Sequence, residues 1–333
     1  MKLIFTLILV LCSLVTVAAE QPKPAEIMPL ASHTLLLDIT KVNNSSLVAV
    51  GQHGIILLST DAKHWRQASV PVQTTLTAVT FVGKQGWVVG HDAVILHSSD
   101  AGETWQIQQR LPQLQKPLLD IAFKDQLHGI AIGAYGQFYR TNDGGKTWKF
   151  EFHDEFLNAS DAKYLADLKQ HDETAYLDER SSILPHFNRI FQDGVTLYLV
   201  GEMGTTARSN DFGRSWQLFN NFYQGSLFDI ARTQQGNLLA VGLRGHVFRS
   251  LRNGSPWESI ATHTTALLNA IVLANDNRIF VLGNNGSLLV SDDDGVSFKE
   301  LIQHDGKSLI AGVWFKHELV AVSEVGIKVI TVN

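Results

Sequence analysis

Thr141-Asn142-Asp143-Gly144-Gly145-Lys146-Thr147-Trp148 decides how this chain folds, because near-copies of it recur along the sequence. They run from Ser59 to Trp65, Ser98 to Trp105, Ser209 to Trp216, Ser250 to Trp257 and Ser291 to Phe298. The closing aromatics at 65, 105, 148, 216, 257 and 298 are separated by 40, 43, 68, 41 and 41 residues, so one interval carries an insertion of about 27. A second marker keeps phase with the first. Gly51, Gly90, Gly133, Gly201, Gly242, Gly283 and Ser323 are each followed three positions later by Gly or Ala. Seven units with a period of about forty residues mark a repeat architecture.

Each unit contains four short, apolar, β-rich runs between turn residues, as in Leu118 to Phe123, Gly129 to Gly133, Gln137 to Thr141 and Trp148 to Phe152. Four strands per forty residues predict an all-β, seven-bladed β-propeller of four-stranded blades. The expected blades are 35–72, 73–114, 115–155, 186–223, 224–263, 264–304 and 305–333, with an insertion at 156–185. The seventh unit stops before its turn motif. Its missing fourth strand is expected from Glu26–Ser32, closing the ring with both ends of the chain in one blade and Pro29 on an outer edge.

Met1-Lys2, the apolar Leu3–Val17 and the small residues Val17-Ala18-Ala19 read as an export leader over 1–19, leaving one large domain over 20–333. The apolar run is too short to predict a lasting membrane anchor. The one cysteine, Cys12, falls inside the leader, so the mature chain is expected to have no disulfide and no thiolate metal site. Net charge is −5, or −6 without Lys2, and no basic run occurs. Nucleic acid is therefore not an expected partner. No metal or cofactor is expected from the scattered histidines.

In the turn motif, Asp61, Asp100, Asp143, Asp211 and Asp293 are expected to accept hydrogen bonds from backbone amides of a tight turn. Trp65, Trp105, Trp148, Trp216 and Trp257 return the chain to the core. Repetition itself argues for a structural role, since a catalytic residue is needed once. Asp292 and Asp294, which flank Asp293, read as solvated turn carboxylates.

The motif resembles the Asp-box, or BNR repeat, of sialidases and several non-enzymatic propellers. Seven compact blades behind a leader, with Gly-x-x-Gly before the third strand and Asp-Gly-Gly-x-Thr-Trp after it, are similar to the photosystem II stability and assembly factor family. That resemblance covers nearly the whole mature chain. It implies a non-catalytic, monomeric scaffold, exported to the periplasm or an equivalent compartment, that binds a membrane-protein complex. The chain departs from that pattern in having no lipid-attachment cysteine and no twin-arginine leader, which points to a bacterial relative outside photosynthesis.

Strand order puts the Asp-box turns on one face and the loops between strands two and three on the other. Those loops vary freely between fixed glycines, supplying His53, His91, Tyr135, Glu202 and Arg244 as candidate contacts. The insertion lands on the same face. Ser160 to Gln170 reads as a helix capped by Ser160, with Tyr164, Leu165 and Leu168 on one side. Its surroundings, Asp154, Glu155, Asp161, Asp167, Asp172, Glu173, Asp178 and Glu179, predict an acidic flap beside the channel mouth.

Aligned first strands give one column of Asp38, Ala78, Asp120, Arg189, Asp229, Asn269 and Ala311, expected to line the central channel. Such a ring serves either as a self-satisfied ion-pair network or as a dock for a cationic or polar ligand. A third-strand column contains Arg140, Arg208 and Arg249. It reads as a basic patch for a client or as arginines sandwiched between blades.

The alternative is a sialidase-like glycosidase or glycan-binding propeller. A sialidase needs three arginines gripping a carboxylate and a tyrosine nucleophile beside a glutamate. Tyr135 and Glu202 lie in equivalent loops of adjacent blades, and Arg189 and Arg244 reach their face. Arg278 is expected on the opposite face.

Overall fold

The structure is a computed structural model and describes residues 21–220, 222–251 and 254–331, so the leader expected over 1–19 lies outside the described residues. Blade 1 consists of Leu36–Val42, Ser46–Gly51, Ile56–Ser59 and Arg66–Gln67 (β1 to β4). Blade 2 is Leu76–Val82, Gln85–Gly90, Ile95–Ser98 and Gln106–Gln109 (β5 to β8), and blade 3 is Leu118–Phe123, Gly129–Gly133, Phe138–Thr141 and Lys149–Phe150 (β9 to β12). Two helices, Ala159–His171 (α1) and Glu173–Arg180 (α2), precede blade 4, which is Phe187–Asp193, Thr196–Gly201, Thr206–Ser209 and Gln217–Leu218 (β13 to β16). Blades 5 and 6 are Leu227–Arg232, Leu238–Gly242, Val247–Ser250 and Trp257–Ile260 (β17 to β20), then Leu268–Leu273, Ile279–Gly283, Ser287–Ser291 and Lys299–Ile302 (β21 to β24). Blade 7 is Leu309–Phe315, Glu318–Ser323 and Gly326–Ile330 (β25 to β27). The all-β, seven-bladed propeller expected from the repeat is thus the observed fold, with antiparallel neighbours in every blade.

Apolar side chains of adjacent sheets interdigitate, giving a buried cluster at each blade-to-blade contact. At the contact of blades 2 and 3, Trp87 stacks on Phe123 with centroids 3.6 Å apart, and Trp148 meets the Phe123 ring edge-on. The repeated glycine after each second strand has a steric cause. A Cβ on Gly90 would lie 2.2 Å from the Thr75 carbonyl, where the chain crosses on its way into the first strand.

Closure differs from the expectation for Glu26–Ser32. Among the described residues blade 7 has three strands, and residues 24–28 hydrogen bond to blade 1 instead, through Ala25 N to Val70 O at 2.9 Å and Met28 N to Gln67 Oε1 at 2.9 Å. Ala31–His33 then makes a short helical turn against β27. A turn rather than a strand forms there because Thr34 bonds back to Ala31 through both its amide and its hydroxyl. The ring closes by packing: Leu36, Ile39 and Leu57 of blade 1 share a cluster with Phe315, Val320 and Val322 of blade 7.

The insertion has one more helix than expected, and α1 starts earlier. Asn158, not Ser160, is its N-cap, accepting from the amides of Ser160 and Asp161, while Asp172 caps α2 by accepting from Ala175 N. Asn158 Nδ2 reaches back to Asp161 Oδ2 at 2.7 Å, so the two side chains satisfy each other around the first turn. Of the three residues expected on its inner side, only Leu165 is buried.

Candidate functional site

Every first strand carries a bulge near its start, with register shifts at 36–38, 76–78, 187–189, 227–229, 268–270 and 309–311 and the matching step between Leu118 and Asp120. An extra residue at this point turns consecutive side chains to different surroundings. One set, including Leu37, Thr77, Leu119, Asn188, Phe228 and Ile310, lines a cavity of about 460 Å³ at the channel mouth. The bulge also corrects the column. Ala270, paired with Leu282, stands with Asp38, Ala78, Asp120, Arg189, Asp229 and Ala311, whereas Asn269 is the bulge residue, equivalent to Asn188. Asn188 and Asn269 donate to the carbonyls of Leu227 and Leu309 in the following blades at 2.8 and 2.7 Å.

The column carboxylates fasten blades. Asp38 Oδ2 accepts from Val79 N at 2.9 Å, Asp120 Oδ2 from Ile190 N at 2.7 Å and Asp229 Oδ2 from Ile271 N at 2.7 Å, each in the following blade. Arg189 lies between two of them, with Nε 3.6 Å from Asp120 and 3.4 Å from Asp229. Desolvation pushes all three aspartates above the ordinary carboxylate range, opposed by the Arg189 guanidinium and the amide bonds; Asp38 rises to about 6. The nearby carboxylates, Asp120 foremost, hold Arg189 more firmly protonated than usual. The carboxylate oxygens of this ring are already committed to backbone amides.

Around the mouth, the residue just before the second small residue of the loop is left-handed in blades 1 to 6: His53, Asp92, Tyr135, Met203, Arg244 and Asn285 have φ of 53° to 58°. The conformation turns these side chains outward, and Met203 is 74% exposed. Tyr135 packs edge-on against His186, with centroids 4.6 Å apart, and His186 Nδ1 lies 3.5 Å from Glu202 Oε1. Of the expected site residues, Asp38, Arg189, Asp229, Asn269 and Glu202 line the mouth cavity, with His186 as a member that the repeat alignment had not singled out because it precedes the strand. Asp120 lies behind the lining, tied to Arg189 and Ile190. His53, His91, Tyr135 and Arg244 stand on the same face outside that lining.

Three sequence expectations change here. The flap does not border the mouth: among the described residues, none from 154–185 lines that cavity. It instead covers blade 3, where Leu177 and Arg180 approach Phe150 and Tyr139. The arginine column is not a basic patch. Arg140 is 5% exposed, binds Glu151 and donates to the Phe212 and Gly213 carbonyls at 2.7 and 2.8 Å, clasping the next blade's Asp-box. Arg249 does the same to Asp294 in blade 6, while Arg208 bonds to Gln217 in its own blade. Asp294 is accordingly buried and partnered, accepting also from Asn237 Nδ2 at 2.5 Å, rather than a solvated turn carboxylate.

The Asp-box turns themselves are built as the sequence implied. In blade 2, Asp100 accepts from the Thr104 amide and hydroxyl at 2.9 and 2.6 Å, Ser98 Oγ accepts from Gly102 N at 2.9 Å, and Trp105 Nε1 donates to Gly102 O at 2.9 Å. Desolvation is the largest single influence and acts upward, but the hydrogen bonds together outweigh it, holding Asp100, Asp143 and Asp293 below the ordinary range and Asp211 at about 2. For Asp61 the His64 side chain is the main cause of the same depression. Blade 5 has no aspartate in this motif, and there Ser250 Oγ and Trp257 Nε1 are buried without a partner among the described residues. The arginines that a sialidase would need are not assembled. Arg189 is engaged by Asp120 and Asp229, and Arg278 binds Asp276 on the turn between β21 and β22, leaving the glycosidase alternative without support.

Residues 17–115 match the family model described as photosynthesis system II assembly factor YCF48. The photosystem II assembly lipoprotein Ycf48 of Synechococcus sp. (strain CC9902) is 25% identical over 300 residues, 86% of this chain and 81% of that protein. The chloroplastic photosystem II stability/assembly factor HCF136 of Oryza sativa subsp. japonica is 22% identical over 82% of this chain, which spans 56% of the rice protein. A solved structure of YCF48 bound to D1 peptide superposes with a TM-score of 0.69 at 18% identity, over 95% of this chain and 99% of that one, and so shares the fold. The resemblance drawn from the Asp-box ladder is thereby borne out: over most of its length the chain is similar to the photosystem II stability and assembly factors.

Proposed function

We propose that this protein is a non-catalytic, exported propeller that binds a protein and acts as an assembly or stability factor for a membrane complex. The carrying observation is the similarity to assembly factors along 86% of the chain, which spans most of the blades rather than one motif. One solved structure of the same fold is YCF48 bound to D1 peptide, which accords with a propeller that works by protein contact. The loop face suits that task. Left-handed loop residues hold Tyr135, Met203 and Arg244 outward on a rigid frame, and aromatic, methionine and arginine side chains are those enriched at protein interfaces. No helix among the described residues is long and apolar enough to cross a membrane. Export to the periplasm or an equivalent compartment, and a monomeric state, complete the proposal.

The test is affinity capture of residues 20–333 from detergent-solubilised envelopes, compared with a Tyr135→Ala/Arg244→Glu variant. These side chains are exposed, so the variant should keep its fold. A membrane-complex subunit held by the parent protein and lost by the folded variant supports the reading. Equal recovery of every envelope protein by both would defeat it.

A further inference from the structure

The bulges at the heads of the first strands deliver one side chain per blade to the mouth cavity, and these alternate in kind around the ring. Blades 2, 4 and 6 supply Thr77, Asn188 and Asn269, which donate to the carbonyls of Leu118, Leu227 and Leu309 in the next blade at 2.7, 2.8 and 2.7 Å. Blades 1, 3, 5 and 7 supply Leu37, Leu119, Phe228 and Ile310, half-buried and lining the cavity. The polar members fasten blades, whereas the apolar four have no such bond to make. A collar of apolar side chains around a hollow of about 460 Å³ is suited to receiving a partner's side chains.

Within this collar the charge is one-sided. Asp38, Asp229 and Glu202 line the cavity and Asp120 lies behind it, against the single guanidinium of Arg189 and the ring of His186, 3.5 Å from Glu202. Arg189 is within ion-pair distance of Asp120 and Asp229 but not of Asp38, which has no cation that close among the described residues. The Val79 amide satisfies one acceptor site of Asp38 without neutralising its charge, and a carboxylate offers about four such sites. Asp38 is 6% exposed and so lies deeper than Leu37 beside it in the chain and Ile310 of the adjacent blade. A ligand therefore meets apolar surface first and an uncompensated carboxylate beyond it. We infer that the mouth binds a lysine side chain of a partner protein, its aliphatic stem on Leu37 and Ile310 and its ammonium facing Asp38. The excess of carboxylates repels an acidic segment, and a purely apolar side chain would bury Asp38 further without a counter-charge. The cavity is larger than one side chain, so residues next to the lysine reach Leu119 and Phe228. This inference rests on the protein-contact reading above and names the chemistry that the loop face would recognise.

The experiment titrates residues 20–333, methyl-labelled at leucine and isoleucine, with three capped tripeptides at a pH above the Asp38 value of about 6. The probes are acetyl-Leu-Lys-Leu-amide, its norleucine analogue, which keeps the stem without the charge, and its glutamate analogue. The lysine peptide should bind about tenfold more tightly than the norleucine peptide, the effect of one hydrogen bond to a charged group, and should shift the methyls of Leu37 and Ile310. The glutamate peptide should bind more weakly than either. Asp38→Asn keeps an acceptor for Val79 N and so should fold, while the lysine preference falls to about twofold. Ile310→Asn installs the residue that blades 4 and 6 carry at this place and should weaken the lysine and norleucine peptides alike by about fivefold. Equal affinity of the parent protein for the lysine and norleucine peptides overturns the inference. So does a lysine preference that Asp38→Asn leaves intact, or the absence of saturable lysine-peptide binding at millimolar concentration. Envelope capture separates this result from the reading it rests on. A client captured by a protein without lysine preference discards the dock and leaves the assembly reading standing; a lysine preference with no specific client upholds the dock and defeats that reading.

Discussion

Asp120 of blade 3 holds Ile190 of blade 4: one carboxylate oxygen accepts the Ile190 amide at 2.7 Å while the other accepts Ile121 of its own strand at 2.8 Å. The same stitch joins blades 1 and 2 and blades 5 and 6. Asp120→Ala leaves the Ile190 amide without its partner and removes one of the two carboxylates within ion-pair distance of Arg189. The expected loss is about 2 kcal/mol of unfolding free energy. Asp120→Asn, which keeps an acceptor, should lose less than half of that. Urea denaturation of the three proteins decides the matter, and an unaltered midpoint in the alanine variant would show the stitch to be dispensable.

Asp38 predicts a pH dependence of defined sign. Its folded-state value of about 6 lies above the ordinary 3.8, so the folded protein holds this proton more tightly than the unfolded chain. The stabilisation is fully present below about pH 4 and is lost as pH rises to 6. Asp38→Asn, still able to accept from Val79 N, removes that decline and should be more stable than the parent by about 2 kcal/mol at pH 8. Melting curves from pH 4 to 8 test this; a parent protein whose slope matches the variant's across that window would contradict it.

Two serines in equivalent places should respond differently to the same substitution. Ser98 Oγ donates to Asp100 and accepts from Gly102 N, whereas Ser250 Oγ is buried without a partner among the described residues. Ser98→Ala should therefore cost about 1.5 kcal/mol and Ser250→Ala nearly nothing, since its hydroxyl is desolvated without compensation. Thermal unfolding of both proteins, measured side by side, gives the contrast directly.

Removing residues 161–178 should lower the melting temperature by only a few degrees. Phe156, Leu184 and Phe187, which fill the cluster between blades 3 and 4, all lie outside the deletion. Failure to fold would place α1 and α2 in the core of the domain. Retained folding with retained client capture would confine the flap to a role other than client binding.

The blade count was legible in the sequence because each Asp-box is a local hydrogen-bond circuit, closed within eight residues, so its residue types are fixed by the turn alone. The channel ring was legible in outline but slipped by one position at Asn269, because a β-bulge changes which side chain faces inward without changing composition. The arginine column could be aligned but not interpreted. Arg140 and Arg249 reach carbonyls in the next blade, and no pattern within one repeat records what the neighbour offers. The N-terminal stretch misled for the opposite reason: its extended, proline-containing sequence suits an edge strand, yet contacts with Gln67 and Val70 fix it along blade 1. Asn158 and Ser160 are both good caps, and spacing alone did not choose between them.

Among the described residues the ring has no shared sheet at its junction, and this governs how the molecule assembles in time. Blades 1 and 7 touch through side chains and a few polar links such as Lys316 Nζ to Thr60 O at 2.9 Å, across 256 residues of chain. Every other blade contact joins neighbours in sequence, so loop closure for this one is the most expensive in entropy and the last to be rewarded. The six sequential contacts can form progressively as an open arc. Snapping that arc shut should appear as a separate, slow kinetic phase that reports the arrival of Phe315, Val320 and Val322 against blade 1.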